Sequence, residues 1–305
     1  MPRLSRAYFP NPERPYTGQH YVYYIFTRDA QLGMMPYCTS GEYPFTVTLS
    51  KKNKSLEEQL VEFLNVGRYS RRSLDKSLWV AIDTLSHYLV NFGETYLEIV
   101  DKDDENKTGI ADKKLEFLPL GKVIKLFGNY IQVVPARNWE HGERKFYVIP
   151  SDKIWHLSLP RKLGTPRQHR NMLKRLKVLS GSMPDFALMD GALGGSAKYD
   201  FKVHHQNKDI AVEHTTAGWG SIRSLGRIKG TTEYYYIANI LQSAYSRALL
   251  REHILSEINN LLCTLGIKNS IRIEGIVSST EIEETIVQLE QGEIGFTEAL
   301  KAIKD

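Results

Sequence analysis

Leu85-Ser86-His87-Tyr88-Leu89-Val90-Asn91-Phe92-Gly93-Glu94-Thr95-Tyr96-Leu97-Glu98-Ile99-Val100 changes its rhythm at Gly93. Before that point Leu78, Ile82, Leu85 and Leu89 recur at three- and four-residue steps, which predicts a helix from about Leu74 to Val90 with one apolar face. After it, Tyr96 and Glu98 alternate with Leu97 and Ile99, which predicts a half-buried strand. Gly93 suits the junction, because glycine takes the left-handed conformation that ends a helix without a steric penalty.

Working outward from this junction, a β-rich section follows. Lys114–Leu120, Val123–Phe127, Tyr130–Val134, Phe146–Ile149 and Ile154–Leu159 read as strands of a small antiparallel sheet. Asp101 to Ala111 reads as a charged turn, and Gly128-Asn129 as a hairpin signal with its residue order reversed from the strongest form. Upstream, Ser55-Leu56-Glu57-Glu58 has the form of a capping box, opening a helix that carries Leu56, Leu60, Phe63 and Leu64. Residues 1–54 are rich in Pro, Tyr and Gly, and only Tyr21–Phe26 and Phe45–Leu49 look like strands. This segment reads as an N-terminal arm or irregular stretch, either packed on a neighbouring subunit or loosely ordered.

Downstream, residues 165–179 return to helix. Met183 to Gln206 is mixed, with strands expected around Phe186–Leu188 and Tyr199–Phe201. The longest periodic element runs from about Thr231 to Leu265 and is closed by Gly266. A strand at Ile271–Val277 precedes a helix capped by Thr280 with Glu283 in the capping-box position, and Thr297 caps a last short helix. The expected fold is therefore α+β. A small antiparallel sheet packs with helices, one of them long, in a domain over residues 55–305 behind the arm of residues 1–54.

The composition is that of an ordinary globular chain. Of 305 residues, 42% are hydrophobic and 25% charged, which argues against bulk disorder. Forty Lys and Arg against 35 acids leave a net charge of +5, which permits contact with nucleic acid without demanding it. Cys38 and Cys263 form neither a metal-ligand spacing nor a disulfide framework and read as free thiols in a reducing compartment. Met1-Pro2-Arg3-Leu4-Ser5-Arg6 leads into no hydrophobic run, and no apolar stretch has the length of a membrane span.

Catalytic signatures do not emerge. The sequence has no P-loop, no Gly-x-Ser-x-Gly elbow and no His-Glu-x-x-His helix, and Gly191–Gly195 lacks the strand–glycine–helix context of a dinucleotide site. No cofactor is expected. His204, His205 and His214 form the densest histidine group, but neighbours in a strand would point to opposite faces. Asp101, Asp103, Asp104 and Glu105 miss the glycine and glutamate that a calcium loop requires, since Asn106 and Asp112 stand at those positions. Glu98, Asp101 and Lys102 supply the residue types of a metal-dependent nuclease near a strand end. Their spacing is not Glu-x-Lys, and no partner aspartate precedes them.

The clearest charged feature is Arg161 to Lys177. Arg161, Lys162, Arg167, Arg170, Lys174, Arg175 and Lys177 put seven cations within seventeen residues, with no acid among them. Pro166 suits a first helical turn. Arg167, Arg170, Lys174 and Lys177 then share one face, while Met172, Leu173 and Leu176 can pack inward. Such a face attracts phosphate without reading base sequence; the alternative is a solvated basic helix paired with acids elsewhere.

Several segments, taken in order, resemble the portal proteins of tailed bacteriophages. Trp79 to Tyr88 followed by Phe92-Gly93-Glu94-Thr95-Tyr96-Leu97-Glu98-Ile99 is similar to that family's helix and following strand. Phe117-Leu118-Pro119-Leu120 and Tyr130-Ile131-Gln132 resemble the next sheet segments. Ile149-Pro150-Ser151-Asp152-Lys153-Ile154-Trp155-His156-Leu157, with Gly164 beyond it, looks like the portal segment leading into a helix. Leu250-Arg251-Glu252-His253-Ile254-Leu255 fits the long helix, and Leu289-Glu290-Gln291-Gly292-Glu293-Ile294-Gly295 with Glu298-Ala299 is similar to the family's ending.

The likeness covers roughly residues 56 to 303 and rests on the order of segments, since portals share no catalytic motif. It implies a portal-like fold and a non-enzymatic subunit of a homo-oligomeric, dodecameric ring, closed by head-to-tail contacts. Double-stranded DNA would pass through its tunnel during packaging and ejection, guided by weak basic contacts. The force would come from a separate terminase ATPase. Scaffold and capsid proteins would be further partners, in the virion and, during assembly, the host cytoplasm, with no membrane involved. Two alternatives stand beside it: a metal-dependent nuclease or other nucleic-acid enzyme built on Glu98, Asp101 and Lys102, and a portal-derived protein that interferes with phage assembly.

Overall fold

Glycine at position 93 does what its sequence context predicts and ends a helix with φ 84°. The computed structural model describes residues 21–36, 43–65, 73–102, 109–118, 123–133, 146–181, 201–220 and 232–303. In chain order these form α1 (Tyr21–Gln31), β1 (Thr46–Leu49), α2 (Lys54–Phe63), α3 (Leu74–Phe92), β2 (Glu94–Asp101), β3 (Lys113–Phe117), β4 (Val123–Leu126), β5 (Asn129–Val133), β6 (Phe146–Pro150) and β7 (Ile154–Ser158). There follow α4 (Pro166–Gly181), α5 (Phe201–Thr216), α6 (Glu233–Thr264), β8 (Ile271–Glu274), α7 (Ser279–Gln291) and α8 (Phe296–Lys301). The protein is thus α+β, with small antiparallel sheets, helices packed with them, and one long helix.

Two compact units share these elements. Of the described residues, Met35–Leu159 and Arg251–Ile276 make the first, while 21–34, Pro160–Leu250 and 277–303 make the second. Helix α6 supplies its residues up to Leu250 to the second unit and those from Arg251 to the first.

In the first unit, α3 starts at Ser73, whose side chain accepts from the Lys76 amide, and ends at Gly93 with φ 84°. The Gly93 amide donates to Leu89 O, and its carbonyl accepts from the Leu159 amide beyond β7, so the reversal is tied to the sheet. Leu78, Ile82, Leu85 and Leu89 are fully buried, each contributing on the order of 2 kcal/mol by leaving water. Tyr88 stacks on Phe117 of β3 at 4.3 Å between ring centroids, and burial pushes its phenol upward.

The expected single sheet is two. Strands β3-β2-β7 form one antiparallel sheet and β4-β5-β6 another, while β1 pairs with β8 in a third, two-stranded one. Strand β2 lies between β3 and β7, and Glu98, expected on the outer side of a half-buried strand, is 1% exposed. The β4–β5 turn has Phe127 (φ 47°) and Gly128 (φ 79°) as its central residues, with Asn129 already in β5. The turn therefore sits one residue earlier than Gly128-Asn129, with glycine at the second position, where a left-handed backbone is required. Asn259 of α6 anchors β8: its amide donates to Ile271 O at 3.0 Å and its carbonyl accepts from Ile271 N at 2.8 Å.

In the second unit, Tyr21–Phe26 is helical rather than extended. Val22, Phe26 and Ala30 are buried at four-residue steps, and that stripe outweighs the strand propensity of the aromatic run. Helix α1 packs on α4, and α4 on α5. Phe201, the last residue of the strand expected at Tyr199–Phe201, likewise opens α5; residues 186–188, 199 and 200 lie outside the described residues. Ile237 and Leu241 of α6 form a core with Leu289 of α7 and Ala299 of α8.

Helix starts are shifted from their expected residues. Asn53, not Ser55, caps α2 by accepting from the Leu56 amide. Ser278 and Glu281, not Thr280 and Glu283, form the capping box of α7. Gly295, not Thr297, precedes α8. No described helix is long and apolar enough to cross a membrane.

Candidate nucleic-acid interface

Helix α4 is held at its start by a reciprocal cap. Gln168 N donates to Thr165 Oγ1 at 3.3 Å, and Thr165 N donates to Gln168 Oε1 at 2.8 Å, with Pro166 in the first turn between them. Its apolar stripe is His169, Leu173 and Leu176, all buried, with Met172 at the edge. His169 was not among the inward residues expected from sequence; its ring lies 5.4 Å from that of Trp219, which also meets Phe26 of α1 edge-on at 5.7 Å.

The opposite side is basic. Arg167, Arg170, Lys174, Arg175 and Lys177 are all exposed. At 100° per residue, Arg167, Arg170, Lys174 and Lys177 fall within an arc of roughly 80°, with Arg175 outside it. The run from Arg167 to Lys177 spans about 15 Å of helix axis. A duplex offers about nine phosphate charges over that length, enough for every cation on the face.

Lys162 and Lys177 meet partners in their own unit. Lys162, on the turn before α4, donates to the Tyr245 hydroxyl at 2.8 Å and to Glu283 Oε2 at 3.2 Å. Those hydrogen bonds, Tyr245 first and Glu283 second, hold its ammonium above the ordinary lysine value. Lys177 Nζ lies 4.6 Å from the centroid of the Tyr23 ring. Arg161 is exposed on the same turn as Lys162. Neither tyrosine is visible as a partner in the sequence, because each lies on a helix distant along the chain.

The other candidates are dispersed. Glu98 lies inside β2, opposite Glu116 and Ile154 in the neighbouring strands. Residues 98 and 101 of a strand face opposite sides of the sheet, so the two carboxylates do not converge. Asp101 is exposed and accepts from Lys113 at 2.7 Å and Lys153 at 3.1 Å, which together hold its carboxyl below the usual carboxylate range. Lys102 pairs with Glu62 at 2.8 Å. These contacts account for the charges of Asp101 and Lys102.

His204, His205 and His214 lie on α5, a helix rather than a strand. Among the described residues no group of three or more His, Cys, Asp or Glu is placed to hold a metal ion. Asp103, Asp104, Glu105 and Cys38 lie outside the described residues. Cys263 is a free, exposed thiol. Searches of family models and of curated proteins found no match for the chain.

Proposed function

We propose that this chain is a subunit of a portal-like ring through which double-stranded DNA passes. The observation that carries the reading is the exposed face of α4, where Arg167, Arg170, Lys174 and Lys177 form a row with no acid on the helix. The ordered likeness to portal proteins, centred on the α3–Gly93–β2 reversal, supplies the context. Contacts of this kind bind phosphate by charge alone, which suits a duplex that must slide rather than be held at one sequence. In a ring the row would repeat around the axis, and each subunit's modest charge would add to a continuous basic belt. The motor, scaffold and capsid partners follow from the same reading, with the ATPase on a separate chain.

Negative-stain electron microscopy of the purified chain, read beside its solution mass, tests this. Closed rings with a central channel are the expected result. A chain that remains monomeric at every concentration, with and without scaffold protein, overturns the reading.

A further inference from the structure

Among the described residues, nothing packs over one face of the sheet of β4, β5 and β6. Register places Ile124, Ile131 and Val148 in one row, Leu126, Asn129 and Pro150 in a second, and Val133 beside Phe146. The opposite face carries Tyr130 and Ile149, which fill an inner cluster with Leu118 and Ile154. None of the eight outer positions is charged. Ile124 is 55% exposed, Leu126 45%, Phe146 58%, Val148 56%, and Phe127 at the hairpin tip 93%. Together these five side chains put on the order of 500 Å² of apolar surface in water, near the upper end for a monomer. That is most of the roughly 800 Å² that each partner buries in a stable interface.

The tip adds a second observation. Phe127 has φ 47° at the first central position of a two-residue hairpin, where Asn, Asp or Gly is favoured. A bulky residue thus occupies an unfavourable backbone conformation with its ring fully in water. Neither feature helps the fold of its own unit, and both are accounted for if the ring is buried against another surface.

We propose that this sheet face, tipped by Phe127, is the contact with a second copy of this chain. Its uncharged, aromatic-flanked surface matches permanent homo-oligomer interfaces, which resemble a domain core cut in half, better than it matches transient contacts with their charged surroundings. The inference rests on the ring reading for one point only: in a ring the face meets a different surface of the neighbour, so each subunit uses it once.

Sedimentation velocity of the full chain over a wide concentration range tests the proposal, comparing wild type with Phe127→Asn and with the double variant Ile124→Thr, Val148→Thr. Asn tolerates the positive φ and Thr retains β-branching, so both variants keep the sheet, as circular dichroism and melting would verify. The expected result is self-association weakened at least about tenfold in each folded variant. Folded variants that associate as wild type does overturn the proposal, and if both still form rings the ring reading survives without it. Wild-type dimers that never close into rings, lost in the variants, support the face and overturn the ring. A wild type that is monomeric throughout overturns both.

Discussion

Gly220 and Gly266 both have positive φ, 66° and 84°, yet their surroundings differ completely. A Cβ on Gly220 would collide with Ser243 N and sit 2.7 Å from Asn239 O, both backbone atoms of α6 that cannot swing aside. A Cβ on Gly266 would meet nothing within 4 Å among the described residues. Gly220→Ala is therefore expected to cost about 3 kcal/mol or more, combining overpacking with the left-handed backbone penalty. Gly266→Ala should cost only about 1 kcal/mol, from the backbone alone. Urea unfolding of the two variants measures the difference; equal losses would mean that α6 does not approach Gly220 as described.

At the scale of elements, the caps and the basic helix make separate claims. Ser278→Ala is expected to cost about 1 kcal/mol at neutral pH, whereas Thr280→Ala should stay within about 0.5 kcal/mol. The Ser278 amide and hydroxyl hold the Glu281 carboxyl below its ordinary value. A lowered folded-state value means that the contribution is complete above the ordinary carboxylate range and fades as pH falls through the lowered value. The gap between wild type and Ser278→Ala should accordingly narrow between pH 7 and pH 3, as denaturant melts would show. For α4, changing Arg170, Lys174 and Lys177 together to Gln should make the dependence of log affinity for duplex DNA on log salt shallower by up to about three. An unchanged slope in a folded variant would remove this face from the interface. What was legible in the sequence follows the same line. The α3 stripe, the basic row and the long helix are local periodicities, readable from spacing alone. Cap positions shifted by two residues because an apolar period fixes the face of a helix better than its first residue. Tyr21–Phe26 misled because an aromatic run resembles a strand until Val22, Phe26 and Ala30 are read as one stripe. The split into two sheets, and the Lys162–Tyr245–Glu283 contact, depend on pairings between distant segments that no local pattern records.

At the scale of the molecule, the proposed role as a DNA conduit working through phosphate contacts requires indifference to sequence. Affinity for duplexes of equal length is expected to vary less than about threefold across unrelated sequences, as fluorescence anisotropy competition would show. A strong preference for one sequence would instead favour a regulatory or processing role. The interleaving of the two units has a consequence for how the protein is made. Leu49 of β1 pairs with Ile271 of β8, 222 residues later. At a synthesis rate of about 5–20 residues per second, the ribosome needs roughly 10 to 45 s to deliver the second strand after the first. Throughout that interval the nascent chain presents β1 without its partner. Codon usage that slows elongation between these strands should lower the soluble yield, and a chaperone that shields nascent segments should restore it.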